Sequence, residues 1–199
     1  MIKKNLFKLA IASSILFTQA QAIEHNFIMN IMPGSILASS DIEGFTNTVG
    51  GPSETIDGYA CFSPNLSLGY GMDIDYFSFD VAAGYGVLTN AVFTTFYIQA
   101  EATVYLTTLQ KGFMIGPFVR YMDISDPEWS TDNLAMTGTS ANAYGISMMT
   151  GGKKVKFKVN ISKLSGADIA VTGRNGYIPS SSILSLDGTS IELGLALRF

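Results

Sequence analysis

Seven ionisable residues occupy positions unusual for a chain folded around an apolar centre. Asp80, Glu101, Arg120, Lys156, Lys158, Glu192 and Arg198 each lie in a run that alternates large apolar residues with small or polar ones. In KVKFKVNIS, Val155, Phe157, Val159 and Ile161 share one face, and Lys154, Lys156, Lys158, Asn160 and Ser162 share the other. This strict period of two is the period of a strand. If the polar faces all line one enclosed lumen, three carboxylates and four cations meet there. Asp80, Glu101, Arg120, Lys158 and Glu192 then fall near mid-height, with Lys154, Lys156 and Arg198 lower. Such charges cannot all be solvated and should pair, because an unpartnered buried charge is costly. Two kinds of chemistry are open to them, a salt-bridge plug or a gate on a narrow ion path.

No other residue set points to catalysis. The single histidine, His25, has no Ser/acid partner in its neighbourhood, and a nucleophile needs a base placed to activate it. No Gly-rich phosphate loop and no His/Cys metal spacing occurs, so no catalytic residue, metal or cofactor is expected. Asp41, Glu43, Glu54 and Asp57 make one loop acidic, and Asp123, Asp126, Glu128 and Asp132 surround the sole Trp129. Four carboxylates could hold a divalent cation, but their spacing matches no EF-hand, and a solvated loop is the expectation. Trp129 is expected as a surface contact or an interface anchor. Cys61 is the only cysteine, so no internal disulfide is available and a small, semi-buried thiol is expected.

The elements that must position these groups are strands. Residues 1–22 read as a secretory signal peptide: Lys3, Lys4 and Lys8, then an apolar run from Leu9 to Phe17, then Ala20-Gln21-Ala22. Its removal from the 199 residues would leave 177, with 16 acidic residues and nine of the 12 basic ones. An acidic balance excludes a nucleic-acid-binding face. Charged residues are only 14% of the chain, against about 25% in ordinary soluble domains. No later stretch is long and apolar enough for a helical span. The remaining route through a bilayer is a closed barrel. Alternating runs place eight strands near 25–39, 58–72, 76–88, 92–107, 113–125, 142–150, 154–165 and 189–199. Short connections at 72–75, 108–112 and 150–153 oppose long ones near 40–57, 126–141 and 166–188. The connection at 89–91 is short but belongs to the long side.

A β-sandwich would alternate as well. The faces separate the two folds. Here the polar face is rich in Gly, Ala, Ser, Asn and Thr, as a lumen just wide enough for its own side chains requires. The other face carries Phe, Leu, Ile, Val and Tyr and is expected to hold no charge across the strands, where one would cost about 2–4 kcal/mol near the bilayer midplane. Aromatics cluster toward both strand ends: Tyr70, Phe77, Phe113 and Phe199 at one rim, Tyr85, Phe96, Tyr121 and Tyr144 at the other. These are the two interfacial belts of a spanning barrel.

The leader, the eight strands and the final LGLALRF together resemble the small eight-stranded outer-membrane barrels of the OmpA–OmpX type. The resemblance covers residues 23–199 by pattern, with no diagnostic motif. It implies an antiparallel up-and-down transmembrane β-barrel in the outer membrane of a Gram-negative bacterium, exported through the periplasm. It also implies partners: outer-membrane lipid and lipopolysaccharide, and the barrel-assembly machinery, which would read Leu193, Leu195, Leu197 and Phe199 as its signal. Three functional readings follow. The first is a closed barrel that serves the envelope or a surface partner through its loops. The second is a narrow porin-like channel. The third, least favoured, is a lipid-modifying enzyme.

Overall fold

A computed structural model describes residues 23–40, 42, 45–48, 54–56, 60–108, 112–130 and 133–199. The expected leader lies outside them. Eight long strands run antiparallel: β1 (Glu24–Ala38), β2 (Asn65–Ile74), β3 (Phe77–Thr89), β4 (Phe93–Thr107), β5 (Phe113–Ile124), β6 (Thr139–Gly151), β7 (Val155–Ser165) and β8 (Gly188–Arg198). Each pairs with the next in sequence, and β8 pairs back to β1, with Met29 opposite Leu197. The seam is closed by reciprocal backbone bonds between Phe27 and Phe199, at 3.0 and 2.9 Å. This is a closed eight-stranded barrel, which leaves no unpaired edge.

Alternation decides the faces as the pattern requires. In β4, Tyr97, Gln99, Glu101, Thr103 and Tyr105 are buried while Phe96, Ile98, Val104 and Leu106 are exposed. In β7, Lys156, Lys158, Asn160 and Ser162 are buried, and Val155, Phe157 and Ile161 are exposed. The molecule is inverted relative to a water-soluble domain, with large apolar side chains outside and ions inside.

Three departures from the expected pattern have local causes. The strand expected over 58–72 is interrupted. Ala60–Phe62 pairs separately with Ile36–Ala38, and β2 begins at Asn65. The break at Ser63-Pro64 faces a register shift in β1 between Ile31 and Gly34, which contains Pro33. Proline has no N–H for the ladder, so a bulge is where a strand accommodates it. The turn expected over 72–75 is the two-residue pair Asp75-Tyr76, with Asp75 at φ 53°. That shift returns Asp73 to a strand. Finally, the outward face is not wholly uncharged. Asp123 and Lys163 face outward near the outer ends of β5 and β7. Both stand beside the long connections, and Lys163 carries its charge away from the wall on a long flexible stem.

The long connections are more structured than solvated loops. Leu134–Thr137, Asp168–Gly173 and Ile183–Ser185 form a three-stranded sheet, and Ile178–Pro179, Thr46–Thr48 and Glu54–Thr55 form another. Their inner residues, including Ile42, Phe45, Ile56, Ile169, Val171 and Leu184, join Leu37, Leu88, Met122 and Leu164 of the barrel in one apolar core. This core caps the outer mouth. Trp129 lies inside it, 5% exposed, its ring 6.0 Å from that of Phe45. It is therefore a core residue, neither a surface contact nor an anchor.

Candidate functional site: the charged lumen

Two guanidinium groups organise the lumen. Glu101 and Arg120 are direct cross-strand neighbours on β4 and β5, and Asn160 and Glu192 are neighbours on β7 and β8. Arg120 spans between the two carboxylates. Its Nε and Nη2 donate to Glu101 Oε2 at 3.1 and 2.6 Å. Its Nη1 and Nη2 donate to Glu192 Oε1 and Oε2 at 2.5 and 2.7 Å. Lys158 Nζ donates to the other oxygen of Glu101, Oε1, at 2.9 Å, and the Thr103 hydroxyl donates to the same oxygen at 3.3 Å. Asn160 and Asn65 donate to Glu192 at 2.7 and 3.2 Å. The planar fork of arginine suits two carboxylates at once, and the guanidinium carbon lies 5.4 Å from the Phe118 ring centroid.

The second network lies toward the short-turn rim. Arg198 Nη1 donates to both oxygens of Asp80, at 3.0 and 2.7 Å, and its Nη2 to Asp73 Oδ1 at 2.8 Å. Ser78 accepts from Nη2 at 3.1 Å, and Asn26 donates to the other oxygen of Asp73 at 3.2 Å. Gly71 makes room for this pair. A Cβ there would press on Asp80 Oδ1 at 2.7 Å and Arg198 Nη2 at 2.8 Å.

All seven expected lumen residues are buried: Asp80, Glu101, Arg120, Lys156, Lys158, Glu192 and Arg198. Six of them fall into two networks, and Asp80, expected near mid-height, belongs with Arg198 in the lower one. Lys156 is 2% exposed. Lys154 is exposed in the turn before β7 and is not part of the lumen. Asp73 falls in the turn that the sequence predicts over 72–75, yet it continues the inward phase of Asn65, Ser67, Gly69 and Gly71. With Asp73 included, the buried charges among the described residues number four carboxylates and four cations, which balance.

Neutral groups fill the remainder. Below, Tyr105 bonds Ser147 at 2.8 Å and packs with Met114, Met149 and Ala196. Above, the Tyr97 ring covers Gly86, where any side chain would collide with it, and its hydroxyl meets Ser63 at 3.1 Å. Gln99 bonds Asn65 at 3.1 Å. Between Arg120 and the cap lies a cavity of only ≈ 10 Å³, lined by Ser63, Ser162, Ser190 and Glu192. That is about the room one water needs.

The remaining candidates lie elsewhere. His25 bonds the Tyr70 hydroxyl at the short-turn rim. Asp126 accepts from the Gly138 N–H at 2.6 Å and closes its loop. Asp41, Glu43, Asp57 and Asp132 lie outside the described residues. Cys61 is buried in the capping core. Burial pushes its thiol up to about 12, partly opposed by a hydrogen bond from Asn90. Leu193, Leu195, Leu197 and Phe199 line the outward face of β8.

No family model matches the chain, and no curated protein matches it. Among solved structures, Neisserial surface protein A superposes with a TM-score of 0.46 at 12% identity, over 89% of this chain and 98% of that one.

Proposed function

We propose that the chain is an integral outer-membrane barrel of a Gram-negative bacterium with a closed lumen and no enzymatic role. It would serve the envelope or a surface partner through its outer cap. The observation that carries this reading is the inversion of the fold: paired ions inside, and large apolar and aromatic side chains outside. Water would not support that exterior, and an exposed patch of this size marks a membrane contact. A channel would need a continuous wet path. The lumen instead presents crossed ion pairs under an apolar cap.

Planar-bilayer recording separates closed barrel from pore. The purified, refolded chain is expected to give no steady conductance. Regular single-channel steps that change size in Glu101→Gln or Arg120→Gln would overturn the closed reading in favour of the channel.

The outward row Leu193, Leu195, Leu197 and Phe199 serves, in the same proposal, as the contact read by the assembly machinery. Phe199 is 63% exposed while its backbone is held by Phe27, so its ring is available without loss of the seam. Phe199→Ala is expected to lower outer-membrane levels strongly, and Phe199→Tyr only slightly. Equal, normal levels of both, measured by immunoblot of membrane fractions, would remove that role.

A further inference from the structure

The outer wall of the barrel is recessed on one side. Its outward residues are large or branched around most of the circumference, as in β7 with Val155, Phe157, Val159 and Ile161. On β3 and β4 they include three neighbouring alanines: Ala83 is the cross-strand partner of Ala100, and Ala102 is the next outward position along the strand. Register places Leu68 beside Ala83, Tyr121 beside Ala100, and Val81 and Val119 on either side of Ala102. The result is a trough of ≈ 1000 Å³ with an almost wholly apolar lining, bounded by Tyr70 on one side and by Tyr121 and Tyr144 on the other. That volume is at the upper end for pockets that hold small ligands.

The outer end of the trough is polar. Asn142 lines it, exposed on the outward face. Tyr144, which also lines it, is the cross-strand partner of Lys163. Lys163 is the one Lys or Arg on the eight barrel strands that faces outward. Asp123, the nearest outward acid on β5, stands one outward position beyond Tyr121.

We infer that this trough binds a single lipid with a phosphate on its headgroup: one acyl chain lies over Ala83, Ala100 and Ala102, and the phosphate is held at the outer rim by Lys163 and Asn142. The inference rests on the outer-membrane reading above. A flexible chain fits a recess that rigid neighbours would leave void, and voids forfeit dispersion contacts. The ammonium supplies the charge complementarity, since a basic side chain at the membrane surface favours anionic headgroups. Asp123 disfavours a phosphate placed farther out and so fixes its position beside Lys163.

The refolded chain in mild detergent micelles, titrated with dimyristoyl phosphatidic acid and observed by native mass spectrometry, tests this. One bound lipid is expected, with dimyristoylglycerol held far more weakly. Ala100→Phe, which fills the floor, should weaken binding about tenfold, and Ala102→Leu in the same direction. Lys163→Gln should weaken it about fivefold. Ile146→Phe, outward on β6 and outside the trough, should leave it unchanged. A ladder of adducts identical in all variants, or equal retention of the two lipids, would overturn the site. So would a dimer of the chain that Ala100→Phe abolishes, because a second copy would then be the occupant. Gel mobility before and after boiling separates the two readings. A normal heat shift without the adduct overturns the lipid site alone, whereas no heat shift in the unsubstituted chain removes the membrane barrel on which it rests.

Discussion

Arg120→Met is expected to cost about 3–5 kcal/mol of barrel stability, because removing one partner from a buried ionic network leaves a charge uncompensated. The geometry says which charge. Glu101 would keep Lys158 at 2.9 Å. Glu192 would keep only the amides of Asn160 and Asn65, at 2.7 and 3.2 Å. Four buried cations would become three against four carboxylates. The loss is therefore assigned to Glu192, and Arg120→Met with Glu192→Gln should recover most of it, since the buried charges balance again. Glu192→Gln is isosteric, and the space left by the guanidinium is common to both variants, so their difference isolates the charge on Glu192. Urea unfolding in lipid vesicles, followed by the temperature at which gel mobility shifts, measures both. A cost below about 1 kcal/mol for the single variant, or a double variant no better than the single, would show that the network does not hold the barrel.

How far such a network can be read from sequence is set by barrel geometry. The phase of alternation assigns each residue to the lumen or the exterior. That is why Glu101, Arg120, Lys158 and Glu192 could be grouped before any contact was known, and why Asp73 could have been added by extending the phase from Asn65. Height in the lumen is another matter. Strands of a closed barrel tilt by about 35–45° and stagger in register, so distance from a turn does not give depth. Arg198, on the last strand, reaches Asp80 on the third, 118 residues away, across the lumen. No local pattern carries that pairing.

The cap was illegible for a different reason. Its strands are two to six residues long, too short for a period to be recognised. Their apolar members, such as Ile169 and Leu184, sit in short runs flanked by Gly, Ser, Thr and Asp and resemble loop residues. The inward Leu88, Met122 and Leu164 were a usable signal. Leu88 and Leu164 are the only large apolar residues on the lumen faces of β3 and β7, and both stand at the outer ends, which announces that something apolar covers them there. Tertiary packing, not strand propensity, holds these segments in place.

Trp129→Ala is expected to open that cap while sparing the barrel. Truncating a buried tryptophan costs about 3–5 kcal/mol, and here the loss falls on one region. Trp129 packs on Phe45 within the core over the mouth, while the ion networks lie beneath it. Cys61 reports the event. At 1% exposure, with its thiol raised to about 12, it is neutral and covered in the closed state. Raising the pH from 7 to 9 does not ionise it there, so maleimide reacts only through opening. Weakening the cap by the expected amount should speed labelling at pH 8 about 10²–10⁴-fold. The heat shift of the barrel should be retained. An outward control, Phe157→Ala, removes an exposed ring far from the cap and should leave the labelling rate unchanged. Unchanged labelling in Trp129→Ala would mean that the cap is not held by this core. Faster labelling with loss of the heat shift would mean that cap and barrel unfold as one cooperative unit, and that the outer mouth is part of what keeps the ion pairs dry.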